Sequence, residues 1–335
     1  MMRDDALCDR RMLRLGLVGI GDAGKHHARV LSMLHREGTI EWNSVCVRRP
    51  EASASLQQQI EFPENIRVYP ALDALLAARE CDALILATPD GLHAEQVEKA
   101  AACGVAMLVE KPFALSEASA VRALAAAERA GVHVQVGYHL RYHRAHQAMV
   151  QQREERVGKL RSVLIRWAWP DPAKDGWRAR GVDARFWSLA ALGTHAIDLA
   201  MMLAGSARVT DVMALCEPHA GVDHAAEVSF RLGEGTLVHV STSILHRAVS
   251  RVFVAGDRGE MEATGTLGAR GAGELGFRSA GKPMQPLAFE ATNPYETQVR
   301  DFVSRIPQGY QSDPHLLANV SILDRIAAGL ERRTG

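Results

Sequence analysis

With 335 residues the chain exceeds the length at which one hydrophobic core usually keeps growing, so two domains are expected. Its 39 Lys and Arg residues balance 39 Asp and Glu residues, which removes the one-signed field of a dedicated nucleic-acid or membrane-surface protein and points to a small-molecule partner. Five scattered cysteines, Cys8, Cys46, Cys81, Cys103 and Cys216, form no CxxC pair of the zinc or redox type, and a cytoplasmic location fits them.

Residues 1–12 read as a polar leader, because Arg3, Asp4 and Asp5 interrupt any secretory core. No later segment offers the run of about 18 uncharged apolar residues that a membrane span needs. From residue 13 short Val/Ile/Leu runs alternate with stretches of helical period, the pattern of βαβ units whose parallel strands are covered on both faces. Strands are expected over 13–20, 44–47, 67–69, 83–87, 106–109 and 132–136. Helices are expected over 26–36, 91–103 and 116–130.

Past about residue 150 the rhythm changes. Strands over 160–169, 209–215, 227–232 and 236–243 succeed one another with one apolar helix, 192–203, among them. Short connections imply a mostly antiparallel sheet. The Gly- and Ala-rich stretch 265–281 reads as a loop-laden edge of that sheet, and helices over 295–304 and 314–331 close the chain. The fold class is therefore α/β: an N-terminal Rossmann doubly wound parallel sheet, residues 13–138, followed by a C-terminal α+β domain, residues 139–335. The second domain carries a large, mostly antiparallel open sheet, and the final helix is free to pack back on the first domain.

The first strand runs into Gly19-Ile20-Gly21-Asp22-Ala23-Gly24, a G-x-G-x-x-G turn that opens a helix. In that setting backbone amides and the helix dipole meet a pyrophosphate. Gly19 permits the tight turn, Gly21 lets the backbone approach the phosphates, and Gly24 lets the helix lie close to the strand. An NAD-preferring domain usually ends its second strand with an acidic residue for the ribose hydroxyls. Here Val47 stands there and Arg48 and Arg49 follow, two guanidinium groups suited to a 2′-phosphate. NADP(H) is expected over NAD(H).

Three further segments carry chemistry: Ala87-Thr88-Pro89-Asp90-Gly91-Leu92-His93, Val109-Glu110-Lys111-Pro112 and Gly193-Thr194-His195-Ala196-Ile197-Asp198. With the start of the penultimate helix at Asn293-Pro294-Tyr295-Glu296, their order and spacing resemble the glucose-fructose oxidoreductase, inositol dehydrogenase and rhizopine-catabolism family, Gfo/Idh/MocA. Thr88 and Pro89 end a strand at the carboxyl edge where open α/β folds place ligands, and are expected near the cofactor ribose. His93 either packs over the cofactor or caps the following helix. Glu110 and Lys111, at the end of the next strand, are further candidates for cofactor contact, and Pro112 biases Lys111 toward an extended conformation.

The resemblance makes Lys111 the acid/base group and His195 its companion, acting on a sugar, sugar derivative or cyclitol. It also implies a homodimer or homotetramer built through the second domain's sheet. Two departures from the family pattern stand out: Ala191 occupies the position of the usual acid, and Arg185-Phe186-Trp187 replaces a glycine triplet. Lys111 is then expected to carry most of the proton transfer, His195 to orient or polarise the substrate, and Phe186 and Trp187 to narrow or reshape the pocket. Trp177, Arg178 and Thr194 are further candidates for substrate contact. Arg141 is a candidate for substrate or cofactor contact, or for an ion pair.

His139, His143 and His146 have helical i, i+4, i+7 spacing but no local Asp, Glu or Cys to complete a metal set, so no metal is expected and the three read as a polar helix face. The missing acid keeps two alternatives in view. One is an NADPH-dependent imine (C=N) reductase, which beside the hydride needs a proton donor but no alkoxide-forming pair. The other is a non-catalytic regulator that senses a dinucleotide or ligand.

Overall fold

The computed structural model describes residues 12–49, 51, 57–170, 176–179, 181, 183–219 and 222–334. Of the expected leader only Met12 falls among them. The chain separates into two compact units, Met1–Ala87 and Thr88–Gly335.

The first unit holds strands β1 (Arg14–Val18), β2 (Glu41–Cys46), β3 (Arg67–Tyr69) and β4 (Ala83–Leu86), with helices α1 (Asp22–Arg36) and α2 (Leu72–Ala78). The strands run parallel in the order β3-β2-β1-β4, as in one half of a Rossmann sheet. All four residues of β4 are buried, which explains why it reads as an unbroken apolar run. Helix α1 turns Gly24, His27, Ala28, Leu31 and Leu34 inward, a spacing that keeps one face on the core.

The second unit begins with a short 3-10 turn (Asp90–Leu92), helix α3 (His93–Ala102), strand β5 (Ala106–Val109), helix α4 (Glu117–Ala130) and strand β6 (Val134–Val136), with β5 and β6 parallel. Ser116 and Ser119 form a capping box at the start of α4, and Gly131 ends it at φ +65°. A 3-10 turn (His139–Tyr142) and helix α5 (Arg144–Arg156) lead to a sheet of eight strands. These are β7 (Leu160–Ala168), β8 (Val209–His219), β9 (Val222–Leu232), β10 (Thr236–Ser243), β11 (Arg251–Gly256), β12 (Gly259–Thr264), β13 (Glu274–Ser279) and β14 (Gln285–Pro286). Their order is β14-β13-β12-β11-β7-β10-β9-β8, antiparallel except for β7 beside β10.

Helix α6 (Thr194–Ala204), nearly all of it buried, covers β7 and β10. Helices α7 (Pro294–Arg305) and α8 (Pro314–Thr334) follow the sheet. Asp324 of α8 accepts a hydrogen bond from Glu117 N at the start of α4, 3.0 Å.

The fold class is the one expected: an α/β chain with Rossmann strands and a second, mostly antiparallel sheet. Two expectations need correction. The stretch 265–281 contains β13, where Leu275 packs inward, between a loop with Gly265, Gly268 and Gly273 at positive φ and a turn with Gly281 at positive φ. The three histidines are not a polar helix face. His139 lies in the 3-10 turn, His143 is the N-cap of α5, and only His146 is within the helix; all three are buried. Their rings face Gly268 O (3.1 Å), Ala272 O (3.3 Å), and Leu140 O with Thr266 Oγ1 (2.9 and 3.0 Å), respectively.

Candidate active site

The glycine turn is built as a cradle. Gly19 sits at φ +89°, and its N–H donates to Cys46 O of β2 at 3.0 Å. A Cβ on Gly24 would lie 2.3 Å from Gly19 O, so only hydrogen fits where α1 crosses the strand end. A Cβ on Gly21 would meet nothing within 4 Å, and Gly21, the N-cap of α1, offers no side chain to the first amides of the helix. Open space beside uncapped amides suits an anionic group. Ile20 and Ala23 are half-buried, and Asp22 faces out to Lys25 at 3.3 Å. Val47 is buried while Arg48 and Arg49 are exposed, which leaves both guanidinium groups accessible at the end of β2.

In the second unit Lys111 follows β5. Its Nζ donates to the carbonyls of Ala190 and Ala191 at 3.3 and 3.0 Å, and its bond to Pro112 is cis. Burial, reinforced by the Arg178 guanidinium, pulls the amine down to about 8 against the opposing charges of Glu110 and Asp90. Buried Glu110 accepts from Lys111 N at 3.2 Å, and a Cβ on Gly137 would come within 3.0 Å of its carboxyl carbon. Both ring nitrogens of His93 are engaged, with Pro112 O at 2.8 Å and Thr88 O at 3.0 Å, so His93 braces the turn between β4 and α3. The Thr88 hydroxyl donates to Gln96 at 2.6 Å, and Pro89 precedes the Asp90 turn.

Asp90 is 1% exposed. One of its oxygens accepts from Arg178 at 2.9 Å; Oδ2 and the Arg178 Nε are buried with no partner among the described residues. An orphaned acceptor beside an orphaned donor suits a group that both gives and takes a hydrogen bond. Burial raises the Asp90 carboxyl, although Arg178 opposes that. Arg178 also stacks on Trp177, 4.3 Å from its ring.

His195, the second residue of α6, packs among the rings of His139 (4.6 Å), Trp167 (5.9 Å) and Tyr138 (6.1 Å). Its Nδ1 is buried and has no hydrogen-bond partner among the described residues. Burial, with Lys111, His139 and Arg178 close by, holds the imidazole well below its usual range, so it is neutral at neutral pH. Where the sequence lacks an acid, the backbone carbonyl of Ala191 meets Lys111 instead.

The remaining candidates are tied into the framework. Thr194 donates to Asn319 at 2.8 Å. Phe186 and Trp187 are buried in the hydrophobic core of the unit, and Trp187 sets its ring edge-on to His224. The fork of Arg141 is filled by Asp198 on one side and Asp313 at 2.7 Å on the other. Asp90 is a site residue that the sequence signals only as a carboxylate at the carboxyl edge of the strands.

The strand order of the first unit and its glycine turn are those of a dinucleotide-binding Rossmann half. A family profile described as "Oxidoreductase family, NAD-binding Rossmann fold" matches residues 13–138 and the GFO/IDH/MocA C-terminal domain matches residues 143–262, so the chain belongs to the Gfo/Idh/MocA family. It spans just over half the length, 54% and 57%, of the first curated relatives it matches. One is the rhizopine catabolism protein MocA of Rhizobium meliloti, 30% identical over 57% of this chain. D-xylose 1-dehydrogenase (NADP(+)) 2 of Haloferax volcanii is 25% identical over 84% of this chain and 86% of its own. A 3-ketoreductase from Actinomadura kijaniata, solved with NADP and TDP-benzene, superposes with a TM-score of 0.84 at 18% identity, covering 95% of this chain and 98% of that one, a likeness of fold. Among the described residues no helix is long and apolar enough to cross a membrane.

Proposed function

We propose that the protein is an NADP(H)-preferring oxidoreductase that moves a hydride to or from a carbonyl or hydroxyl carbon of a sugar, sugar derivative or cyclitol. The observation that carries this reading is Lys111, a buried amine pulled to about 8 and aimed by two backbone carbonyls. A bound nicotinamide supplies the two-electron carrier. In oxidation the free amine of Lys111 takes the substrate hydroxyl proton as the carbon–hydrogen bond breaks; in reduction the ammonium returns that proton to the carbonyl oxygen. His195, neutral, orients and polarises the same oxygen. Gly19 to Gly24 would hold the pyrophosphate, Thr88 and Pro89 the ribose, and Asp90 with Arg178 fit a ligand group that both donates and accepts.

The pH dependence follows from the lysine. For oxidation kcat/KM should rise about tenfold per pH unit below about 8 and level off above it, since only the free amine accepts a proton. For reduction the sign reverses and the rate falls as pH climbs through the same value. A sugar panel assayed in both directions checks this, and profiles with no limb near 8 would remove Lys111 from the role.

Cofactor choice rests on Arg48 and Arg49. Replacing both with Ser should weaken NADPH about tenfold or more, the worth of one or two charge-assisted hydrogen bonds, while leaving NADH nearly unchanged. Fluorescence titration measures it; a native protein that prefers NADH overturns the assignment.

The Ala191 carbonyl in place of a carboxylate favours imine reduction as a second reading, because it holds the lysine as a proton donor. Turnover of cyclic imines but of no carbonyl compound would select it. Substrate-dependent NADPH oxidation that disappears in Lys111→Ala would exclude a regulator. We also infer a homodimer or homotetramer through the eight-stranded sheet, whose outer side exposes Leu164, Met213, Leu215 and Leu237. Sedimentation of a monomer at micromolar concentration would contradict it.

A further inference from the structure

Asp223 lies near the start of β9, 3% exposed, and has no part in the chemistry above. Its carboxylate accepts from Trp187 N at 2.7 Å and from Leu189 N at 2.9 Å. Those amides begin the π-helical turn Leu189–Gly193 that leads into α6. The first amides of a helical segment have no partners inside it. Ser188, the N-cap residue, makes no side-chain cap bond, and its hydroxyl is turned to Thr242 Oγ1, to which it donates at 2.7 Å. Asp223 thus caps the turn from a separate strand and sets a carboxylate at its positive end.

The turn so capped carries both acceptors of Lys111. Thr194 N donates back five residues to Leu189 O, wider than an α-helical turn, and from this widened stretch the carbonyls of Ala190 and Ala191 reach Nζ. His195 follows directly in α6. We propose that Asp223 is a positioning residue: by fixing the amides at Trp187 and Leu189 it fixes the carbonyls that aim Lys111, in the stretch where Ala191 brings no carboxylate of its own. Burial pushes the Asp223 carboxyl up to about 7 even with these amides opposing the shift, so the contact is made with a group that resists being charged there. The functional meaning of this placement rests on Lys111 being the acid/base group; the mechanical coupling does not.

A double-mutant cycle on the full chain tests it, with Asp223→Asn, Lys111→Met and the pair compared by urea unfolding. The loss caused by Asp223→Asn should be at least threefold smaller, as an unfolding equilibrium constant, once Lys111 is Met, because the turn then has no ammonium to hold. Hydrogen exchange should rise at residues 190–195 in Asp223→Asn. Additive effects and unchanged exchange overturn the proposal. If Asp223→Asn does not fold, Asp223→Glu enters the same cycle, keeping the charge while displacing it, with the same sign of coupling expected and additivity again overturning the proposal. Coupling together with full turnover in Lys111→Met would refute the acid/base reading and leave this one standing. An inactive Lys111→Met without coupling would do the reverse.

Discussion

Lys111→Met is expected to lower turnover about a thousandfold, within the range by which a positioned acid/base group accelerates proton transfer, while leaving NADPH affinity within a few-fold. Methionine keeps an unbranched chain of similar length in the buried slot but has no Nζ to exchange a proton. The variant should also fold. Below the folded pKa of about 8 the native ammonium is held where burial disfavours it, so its removal relieves a cost that the native chain carries at neutral pH. The loss of a donor to the Ala190 and Ala191 carbonyls opposes this gain. Steady-state and single-turnover rates on an active substrate, with cofactor titration alongside, check the expectation. Undiminished turnover would end the role assigned to Lys111.

Asp198→Ala should be the most costly substitution for stability among those considered, at about 3 kcal/mol, the lower end for breaking a buried ion pair by removing one partner. Asp198 is 1% exposed and takes both Nε and one terminal nitrogen of Arg141. Asp198 and Asp313 keep that guanidinium charged in spite of its burial. The lower end applies because Arg141 retains Asp313 at 2.7 Å and its place over the Tyr138 ring, 5.1 Å from the centroid. Since Tyr138 lies edge-on to His195, catalysis should weaken as well, though less than in Lys111→Met. Urea unfolding measures the cost, and a loss under about 1 kcal/mol would show that the pair contributes no more than a solvated one.

The alternation of apolar runs and helical stretches made the Rossmann strands legible, because each buried parallel strand is local and nearly pure Val, Ile and Leu. The glycine turn was legible for a related reason: Gly19 and Gly24 meet each other within six residues. Strands β11 and β12 were not read. Arg251, Glu260 and Glu262 look like loop residues along the chain, whereas in the sheet Arg251 pairs with Glu262 at 2.7 Å and Glu260 with Arg278. The three histidines misled because their spacing is helical while two of their carbonyl partners, Gly268 and Ala272, lie 129 residues away. Asp223 was hidden in the same way, since nothing near it in sequence shows the amides it caps.

The state of His195 bears on how the reaction would be counted in protons. An imidazole held well below its usual range, beside an amine that titrates near 8, leaves Lys111 as the one group of this pair that changes its charge near neutral pH. His195 should then add no limb of its own to the pH–rate curve near neutral pH. In mixtures of light and heavy water the rate should vary linearly with deuterium content, as for one proton in flight, and a curved dependence would mean that a second group shares the transfer.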